Sequence, residues 1–354
     1  MQTFPSYAAP VPARAHGKTT LIDVARRAGV HPSTVSRTLT RPDAVAQPTR
    51  RRVEAAISAL GYRPNRAARR LATGRTGAIA IVVPDIVNPY FALMVQAAQA
   101  TVRARGFDVL LADTGQDPDE EEQALKSLSR QADGLIVCVP QRVHRAPDAA
   151  LGGTPTLFVN RPVRGYPFVL IDQRGIINAA LDHLYGLGHR RIAHVAGPRG
   201  YWAASERIRH ARRWATLHPD AAVSLIGPGV PSYEGGRQAL GSLGQLVTAV
   251  VAFNDLMALG IMSSLEASGF KVPADVSVVG SDDVPVASMA APPLTTVAAP
   301  FADAGNSAAL VLLGCLTGDD TTTIPTRFSG CLVVRGSTGR PKVRRSPSGR
   351  RHDG

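Results

Sequence analysis

Residues 20–39 read TLIDVARRAGVHPSTVSRTL, and this stretch decides the fold of the N-terminal part of the chain. Thr20 is placed to cap a helix whose apolar residues recur at helical spacing, and Gly29 can end that helix in a left-handed turn. His31 then takes the N-cap position of a second helix, and Pro32 its first helical position. Two helices joined by so tight a turn are typical of a helix-turn-helix. The alternative is a helical unit that serves only for packing.

The charge of the chain is concentrated at its two ends. Residues 1–77 hold 14 Lys and Arg against 3 Asp and Glu, which is +11 of the formal +13. Residues 78–339 hold 20 against 23, and residues 340–354 hold 6 against 1. A basic head suits a polyanion such as DNA, because contacts to phosphates release counterions. A run of charge can also be no more than a solvated surface.

Length and composition limit the possible classes of protein. With 354 residues and 44% hydrophobic content, the chain can form a small head and two domains that each have a core. Cys138, Cys315 and Cys331 are widely spaced in apolar runs, so we expect three buried thiols rather than a metal site or disulfides. No stretch resembles a signal peptide or a membrane span, which predicts a cytoplasmic protein. Residues 1–17 and 339–354 are predicted to be disordered.

After Gly77 the pattern changes to short apolar strands that alternate with helices, the first helices at about 89–105 and 119–131. The first set of buried strands is predicted at 78–84, 107–113, 134–139 and 155–160. The second set is predicted at 168–172, 191–197, 249–254 and 276–280. This alternation predicts an α/β fold with two doubly wound, Rossmann-like subdomains. Ligands of such sheets bind at the carboxyl ends of the strands, so the cleft between the two sheets is the expected site.

Polar and aromatic side chains follow several of these strands or lie near the helices that come after them. The ligand-binding candidates are Tyr90, Phe91, Asn160, Arg161, Arg207, Asn254 and Asp282. Asn, Asp and Arg form bidentate hydrogen bonds, and an aromatic face packs on a sugar or base ring. The set therefore predicts a small polyhydroxy or heterocyclic ligand. Asn254 and Asp282 could each be no more than caps of the following helices.

Several long strings occur in the order typical of the lactose-repressor/galactose-repressor (LacI/GalR) family of bacterial transcription regulators, which the chain resembles from about Thr20 to Thr338. Beyond the stretch quoted first, the strings are YRPNRAARRLATG, IVNPYF, HLYGLGHRRIAHVAGP, VVAFNDLMALG, VSVVGSDD and PPLTTV. The resemblance implies a helix-turn-helix head, a hinge helix and two Rossmann-like subdomains of periplasmic-binding-protein type. The implied boundaries are 18–63 for the head, 64–77 for the hinge and linker, about 78–172 with 298–325 for the N-subdomain, and about 173–297 with 326–338 for the C-subdomain.

The resemblance also implies how the head meets DNA. The second helix enters the major groove, where Arg37 can pair with guanine and Pro32 offers an apolar contact. The paired hinge helices of a dimer lie in the minor groove, and the residue that matches Leu71 is a wedge between base pairs. The DNA-binding candidates are Thr20, Leu21, Pro32, Ser33, Thr34, Ser36, Arg37, Thr49, Arg50, Asn65, Arg66, Ala68 and Leu71. The alternative for the hinge is a solvated basic linker.

Together these features predict a homodimeric transcription regulator, most simply a repressor, on a pseudo-palindromic operator. A sugar or nucleoside-like metabolite between the subdomains would control operator affinity, as inducer or corepressor. No cofactor, metal or membrane partner is predicted, and an enzyme is not favoured because the chain lacks a P-loop and a Gly-x-Ser-x-Gly elbow. A solute-binding module is the second hypothesis. Where the family has Arg-x-x-Gly-aromatic, this chain has neither the glycine nor the aromatic. The effector arginine could therefore be Arg207 or Arg209, and the spacing from Gly197 and Pro198 favours Arg207.

Overall fold

The computed structural model describes residues 19–62, 75–141, 148–239, 241 and 247–342. The chain divides into two compact units between Arg75 and Thr76. The hinge candidates Asn65, Arg66, Ala68 and Leu71 lie outside the described residues, as do residues 1–17 and most of the C-terminal tail. No helix in the described ranges is long and apolar enough to cross a membrane.

The first unit is a three-helix head. Its helices are α1 (Leu21–Ala28), α2 (Pro32–Thr40) and α3 (Gln47–Leu60), with a short 3-10 turn at Pro42–Ala44 between the last two. One residue from each helix is fully buried at the centre of the head: Val24, Val35 and Val53. Burial of these apolar side chains holds together helices that are each too short to be stable alone.

The ends of α1 and α2 form as the sequence predicts. Asp23 N donates to Thr20 Oγ1 at 3.3 Å, and Thr20 N donates to Asp23 Oδ2 at 2.9 Å, which is a capping box. Gly29 ends α1 with φ of 62°, a left-handed conformation that favours glycine. At the start of α2, Ser33 N donates to His31 Nδ1 at 3.3 Å. The imidazole therefore caps this helix in place of a hydroxyl group.

The second unit contains two lobes, each built on a mostly parallel sheet. The first lobe contains, in chain order, β1 (Ala78–Val83), α4 (Pro89–Ala104), β2 (Asp108–Asp113), α5 (Pro118–Leu128), β3 (Gly134–Cys138), α6 (Asp148–Leu151), β4 (Thr156–Val159) and β5 (Phe168–Ile171). Its sheet also includes β11 (Arg327–Phe328), and the strand order in the described residues is β11-β5-β4-β3-β1-β2.

The second lobe follows along the chain. Its elements are α7 (Gln173–Gly186), β6 (Arg191–Val195), α8 (Trp202–Leu217), β7 (Ala222–Ile226), α9 (Tyr233–Ala239), β8 (Ala249–Ala252), α10 (Asp255–Ala267), β9 (Ser277–Asp282), α11 (Pro285–Met289), β10 (Thr295–Ala298) and β12 (Cys331–Val333). The described strands are ordered β12-β10-β9-β8-β6-β7, and β12 runs antiparallel to β10. The two sheets confirm the predicted pair of Rossmann-like subdomains.

Within the described residues the chain passes between the lobes three times, after β5, after β10 and after β11. After the second passage, α12 (Phe301–Thr317) returns to the first lobe and packs along α4. The two helices approach closely at Gly305, where an added Cβ would lie 2.4 Å from the carbonyl oxygen of Met94. The first lobe is thus completed by residues that follow the second lobe in the sequence.

Two features of the sheets differ from the sequence prediction. The alternation of strands and helices groups the strand at 168–172 with the second set, whereas the boundaries implied by the family resemblance place it in the first. Phe168 and Val169 pair with β4 of the first lobe, as those boundaries imply. The alternation of strands and helices identifies a strand without telling which sheet it joins, and no helix separates β4 from β5 to mark them as neighbours. Arg327 and Phe328 pair with β5 as well, so the first sheet continues past residue 325.

The prediction of three buried thiols is wrong for two of the cysteines. Cys138 is buried in β3, whereas Cys315 and Cys331 are exposed. Cys315 lies within an apolar run, but a helix turns every residue to its own direction, and this one is directed to solvent. Burial raises the pKa of the Cys138 thiol to about 12, which keeps it protonated at neutral pH.

Candidate functional site

The first turns of α2 form the exposed face of the head that is suited to reading bases. Ser33, Ser36 and Arg37 are exposed there, and Pro32 and Thr34 are half-buried. Arg37 Nη2 donates to Ser33 Oγ at 3.4 Å, so a guanidinium and a hydroxyl group lie side by side. These are groups that contact guanine and phosphate oxygens in protein–DNA complexes.

Several other DNA-binding candidates form contacts within the head itself. Thr20 is part of the capping box, and Leu21 is half-buried against the core of the head. Thr49 is half-buried near the start of α3. Arg50 Nε donates to Glu54 Oε1 at 2.8 Å, and Asp43 lies at 3.9 Å from the same guanidinium. A phosphate would therefore compete with two carboxylates for Arg50.

A cavity of about 50 Å³ lies between the two lobes, at the carboxyl ends of strands from both sheets. Six of the seven predicted ligand-binding residues line it: Tyr90, Phe91, Asn160, Arg207, Asn254 and Asp282. The lining residues that the sequence analysis missed include Asp85, Asn88, Gln116, Gln173, Tyr201 and Pro231. The cavity is narrow, and residues of both lobes line it.

Arg207 contributes a positive charge to the cavity, and its side chain is held in place by Gln173 at the start of α7 and by Phe253. The residue is 4% exposed, its Nε donates to Gln173 Oε1 at 2.7 Å, and its Nη1 donates to the carbonyl oxygen of Phe253. The guanidinium lies 4.9 Å from the centre of the Phe253 ring. Arg209 is exposed and pairs with Glu206. The geometry therefore brings Arg207, and not Arg209, to the cavity.

Two buried carboxyl groups lie on the same side of the cavity as Arg207. Burial raises the pKa of Asp282 well above its usual value, the negative charge of Asp255 raises it further, and Arg207 opposes the shift. Burial also raises the pKa of Asp255 to about 7, although its oxygens accept from Thr296 Oγ1 at 2.6 Å and Val284 N at 2.9 Å. The cavity thus has a buried guanidinium and the buried carboxyl group of Asp282 in its lining.

Two of the three asparagines that line the cavity, Asn160 and Asn254, are already hydrogen-bonded within the protein. Asn254 Oδ1 accepts from Met257 N at 2.9 Å and Nδ2 donates to the carbonyl oxygen of Pro231 at 3.0 Å, so Asn254 does cap the following helix. Asn160 has φ of 58°, accepts from Ile171 N at 3.0 Å, and donates to Tyr90 Oη. These amides fix the shape of the wall.

Arg161 is the predicted ligand residue that the structure does not bring to the cavity lining. Its Nη1 donates to the carbonyl oxygens of Pro140 at 2.8 Å and Gly200 at 3.2 Å. The left-handed backbone at Asn160 separates the two neighbours, so Asn160 lines the cavity while Arg161 lies beside it.

Gln173 is the most informative of the residues that sequence reasoning missed. It directly follows the Asp172 cap of α7, where the chain leaves the first lobe. Its signal in the sequence is a polar side chain just after the apolar run of β5. His183, His189 and His194 form no metal site, and no group of metal-ligating side chains occurs among the described residues.

The comparisons with known proteins agree with this architecture. Residues 20–65 match the model of bacterial regulatory proteins, lacI family, and residues 181–338 match that of a periplasmic binding protein-like domain. The HTH-type transcriptional repressor CytR of Escherichia coli (strain K12) is 32% identical over 330 residues, which are 90% of this chain and 96% of that protein. The chain belongs to the lacI family of bacterial regulatory proteins.

Other members of the lacI family are similar over nearly their whole length. The HTH-type transcriptional regulator CelR of Thermobifida fusca is 37% identical over 90% of this chain and 98% of its own. The lac repressor dimer bound to operator and the anti-inducer ONPF has a TM-score of 0.81 at 30% identity, covering 91% of this chain and 100% of that one. The complex of CelR with cellobiose has a TM-score of 0.65 at 35% identity, covering 90% of this chain and 99% of that one.

Membership of the lacI family gives the class of function. The protein is a DNA-binding transcription regulator and not an enzyme, since the matched relatives are named as regulators and its head and body both match theirs. The predicted family and fold are confirmed by the same matches. The alternative of a solute-binding module without a DNA-regulated function is set aside.

Proposed function

We propose that this regulator represses transcription as a homodimer on a pseudo-palindromic operator, and that a small polyhydroxy or nucleoside-like ligand in the inter-lobe cavity controls its operator affinity. The lining of the cavity supports this class of ligand, because a buried guanidinium, a buried carboxyl group and aromatic rings from both lobes meet there. Vicinal hydroxyl groups match such a donor and acceptor pair, and a sugar or base ring packs on the aromatic faces. A cytoplasmic, nucleoid-associated location goes with operator binding.

In this proposal the exposed first turns of α2 contact bases in the major groove. The hinge residues up to Leu71 contact the minor groove. In-vitro selection of DNA by the full-length protein at rising salt tests this assignment, because specific sequences persist as phosphate contacts are screened. Arg37→Ala should relax the preference at one position in each half-site, at a cost of about 1–3 kcal/mol. Arg27→Ala, on the exposed face of α1, is the matched control. A selected motif without two-fold symmetry would contradict the operator model.

The ligand is tested by thermal shift of the full-length protein against sugars, polyols and nucleosides. A ligand that binds only the folded protein at 100 times its Kd adds about 2.7 kcal/mol of stability. Arg207→Lys should remove that shift, because an ammonium group cannot reproduce the planar fork of the guanidinium. Arg209→Lys changes an exposed arginine two residues away and should keep it. A shift that survives Arg207→Lys would reject the arginine assignment.

For the homodimer we propose that a second copy covers an apolar groove on the second lobe. Tyr233, Phe270, Val286 and Met289 are exposed large apolar residues, and all four line this groove of about 650 Å³. A two-fold interface must be complementary to itself, and Glu266 and Lys271 give the groove both signs of charge. The similar lac repressor structure is itself a dimer bound to operator.

Light scattering of the full-length protein tests the dimer surface. Met289→Glu places a charge on a side chain in the groove that is 77% exposed, and it should shift the protein toward monomer. Leu217→Glu changes a residue on α8 that is 69% exposed and does not line the groove, and it should leave the mass unchanged. A dimer that is equally strong with Met289→Glu would place the interface elsewhere.

A further inference from the structure

Arg161 bonds to backbone carbonyls of both lobes beside the cavity. Its Nη1 lies 2.8 Å from the carbonyl oxygen of Pro140, 3.4 Å from that of Gln141 and 3.2 Å from that of Gly200. Pro140 and Gln141 follow β3 in the first lobe, whereas Gly200 precedes α8 in the second. Arg161 is 5% exposed, so the contact that joins the lobes is shielded from water.

A buried carboxylate supports this contact from the first lobe. Glu121 on α5 is 3% exposed, and its two oxygens accept from Gln141 N at 3.1 and 3.0 Å. Burial lowers the pKa of Arg161, and the negative charge of Glu121 opposes that shift. Glu121 therefore fixes the turn at 140–141 and also compensates the charge of the arginine that lies against it.

The second lobe contributes a residue next to Gly200. Tyr201 is 4% exposed, and its pKa is raised by burial and then by the carboxylates of Asp85 and Glu121, which belong to the first lobe. Tyr201 also lines the cavity between the lobes, together with Asp85 of the first lobe. Gly200 is held through its carbonyl oxygen, and Tyr201 through burial.

We propose that Arg161 is a latch across the cleft: by holding the Gly200 carbonyl against the turn at 140–141, it sets how readily the lobes separate to admit a ligand, without touching that ligand. This rests on the proposed function only in that a ligand enters between the lobes. The terminal nitrogen Nη1 carries two N–H groups, so it can donate to carbonyl oxygens on two sides at once. When the lobes separate, the bond to Gly200 is lost and the buried charge meets water. Arg161 is a positioning residue in this scheme.

Hydrogen exchange of the full-length protein, read by mass spectrometry without any added ligand, tests the latch. Arg161→Met should raise amide exchange about tenfold or more in two segments together, 138–141 of the first lobe and 199–204 of the second. Arg190→Met is the matched control. Arg190 Nη1 also donates to two carbonyl oxygens, those of Tyr185 and His189, and its Nε donates to Asp220 Oδ2 at 2.7 Å. All three partners lie in the second lobe, so exchange should rise only near them.

The second measurement is fluorescence of Trp202, which is half-buried beside Tyr201. The chain has two tryptophans, so Trp214→Phe leaves Trp202 as the reporter. In that background Arg161→Met should increase quenching by acrylamide, and Arg190→Met should not. Arg161→Lys keeps the charge but loses the fork, and should show a smaller change in the same direction.

The outcomes separate the latch from a role in folding alone. A paired rise in both segments, with β1 unchanged, supports the latch. A rise confined to 138–141, or an equal rise throughout the lobes, would overturn it. If the Arg161→Met variant does not fold, the same comparison of amide exchange at 138–141 and 199–204 is made with Arg161→Lys. Because no ligand is added, a failed search for an effector leaves this result unaffected.

Discussion

Gly260 lets helices α9 and α10 meet at their backbones, and Gly260→Ala should destabilise the second lobe. A Cβ at this position would lie 1.9 Å from the carbonyl oxygen of Tyr233 and 2.9 Å from Arg237 N. These are backbone atoms, so no side chain can rotate away, and the helices themselves would have to separate. Alanine at a solvated helix position would have the opposite effect, since it stabilises a helix by about 0.5–1 kcal/mol relative to glycine.

The expected size follows from these two opposing effects. Ordinary contact begins near 3.4 Å, so the oxygen of Tyr233 and the new methyl group must move apart by roughly 1.5 Å. Overpacking of this kind costs about 1–3 kcal/mol, and a clash with backbone belongs at the upper end. After the gain in helix propensity, a net loss of about 2 kcal/mol remains. For a unit that spans Thr76–Gly354 this lowers Tm by about 3–4 °C.

Thermal and urea denaturation of the full-length protein measure the effect, with Gly186→Ala as the control. Gly186 is the last residue of α7, and an added Cβ would meet nothing within 4 Å. The same substitution should therefore raise stability at Gly186 and lower it at Gly260. Equal or stabilising effects at both positions would refute the argument that α9 and α10 touch through backbone atoms.

Three further predictions concern pH, capping and thiols. Asp255 has a pKa of about 7 in the folded protein and a usual value of 3.8, so the folded state binds more protons than the unfolded state between these pH values. The free energy of unfolding should therefore fall by a few kcal/mol as the pH rises from 4 to 7. Asp255→Asn should flatten this pH dependence in denaturation curves. Thr20→Ala removes the capping box and should lower the stability of the head by about 1 kcal/mol. Circular dichroism should then show a lower helix content, and DNA binding should be weaker. If neither quantity changed, the cap would have no role in the stability of the head. A thiol reagent should modify Cys315 and Cys331 in the native protein and reach Cys138 only after unfolding, and rapid reaction of all three would contradict the burial of Cys138.

The head could be predicted from sequence because its signals are local. A helix cap at Thr20, a left-handed stop at Gly29 and a proline at the start of α2 act within a few residues, and each has the predicted role in the structure. The strands were also found, because buried parallel strands are continuous apolar runs. Their assignment to sheets was less certain, as β5 shows, because pairing is a contact between distant residues.

The cavity could be predicted in outline and not in detail. Residues at strand ends were found by topology, including Asn160 and Asp282, but which of two neighbours lines the cavity depends on backbone angles. At Asn160 a positive φ separates it from Arg161, and nothing in the sequence marks that angle. The choice between Arg207 and Arg209 was open for a related reason: only the packing of α8 shows which arginine is buried.

The three passages of the chain between the lobes have a consequence for synthesis on the ribosome. The segment that completes the first lobe begins at Phe301, 129 residues after Asp172, and at about 5–20 residues per second its appearance takes roughly 6–26 s. During that time α4 has no partner for the apolar surface that α12 will cover. The nascent first lobe therefore exposes this apolar surface until α12 has been made, and neither lobe can be exchanged between regulators as one continuous piece of coding sequence.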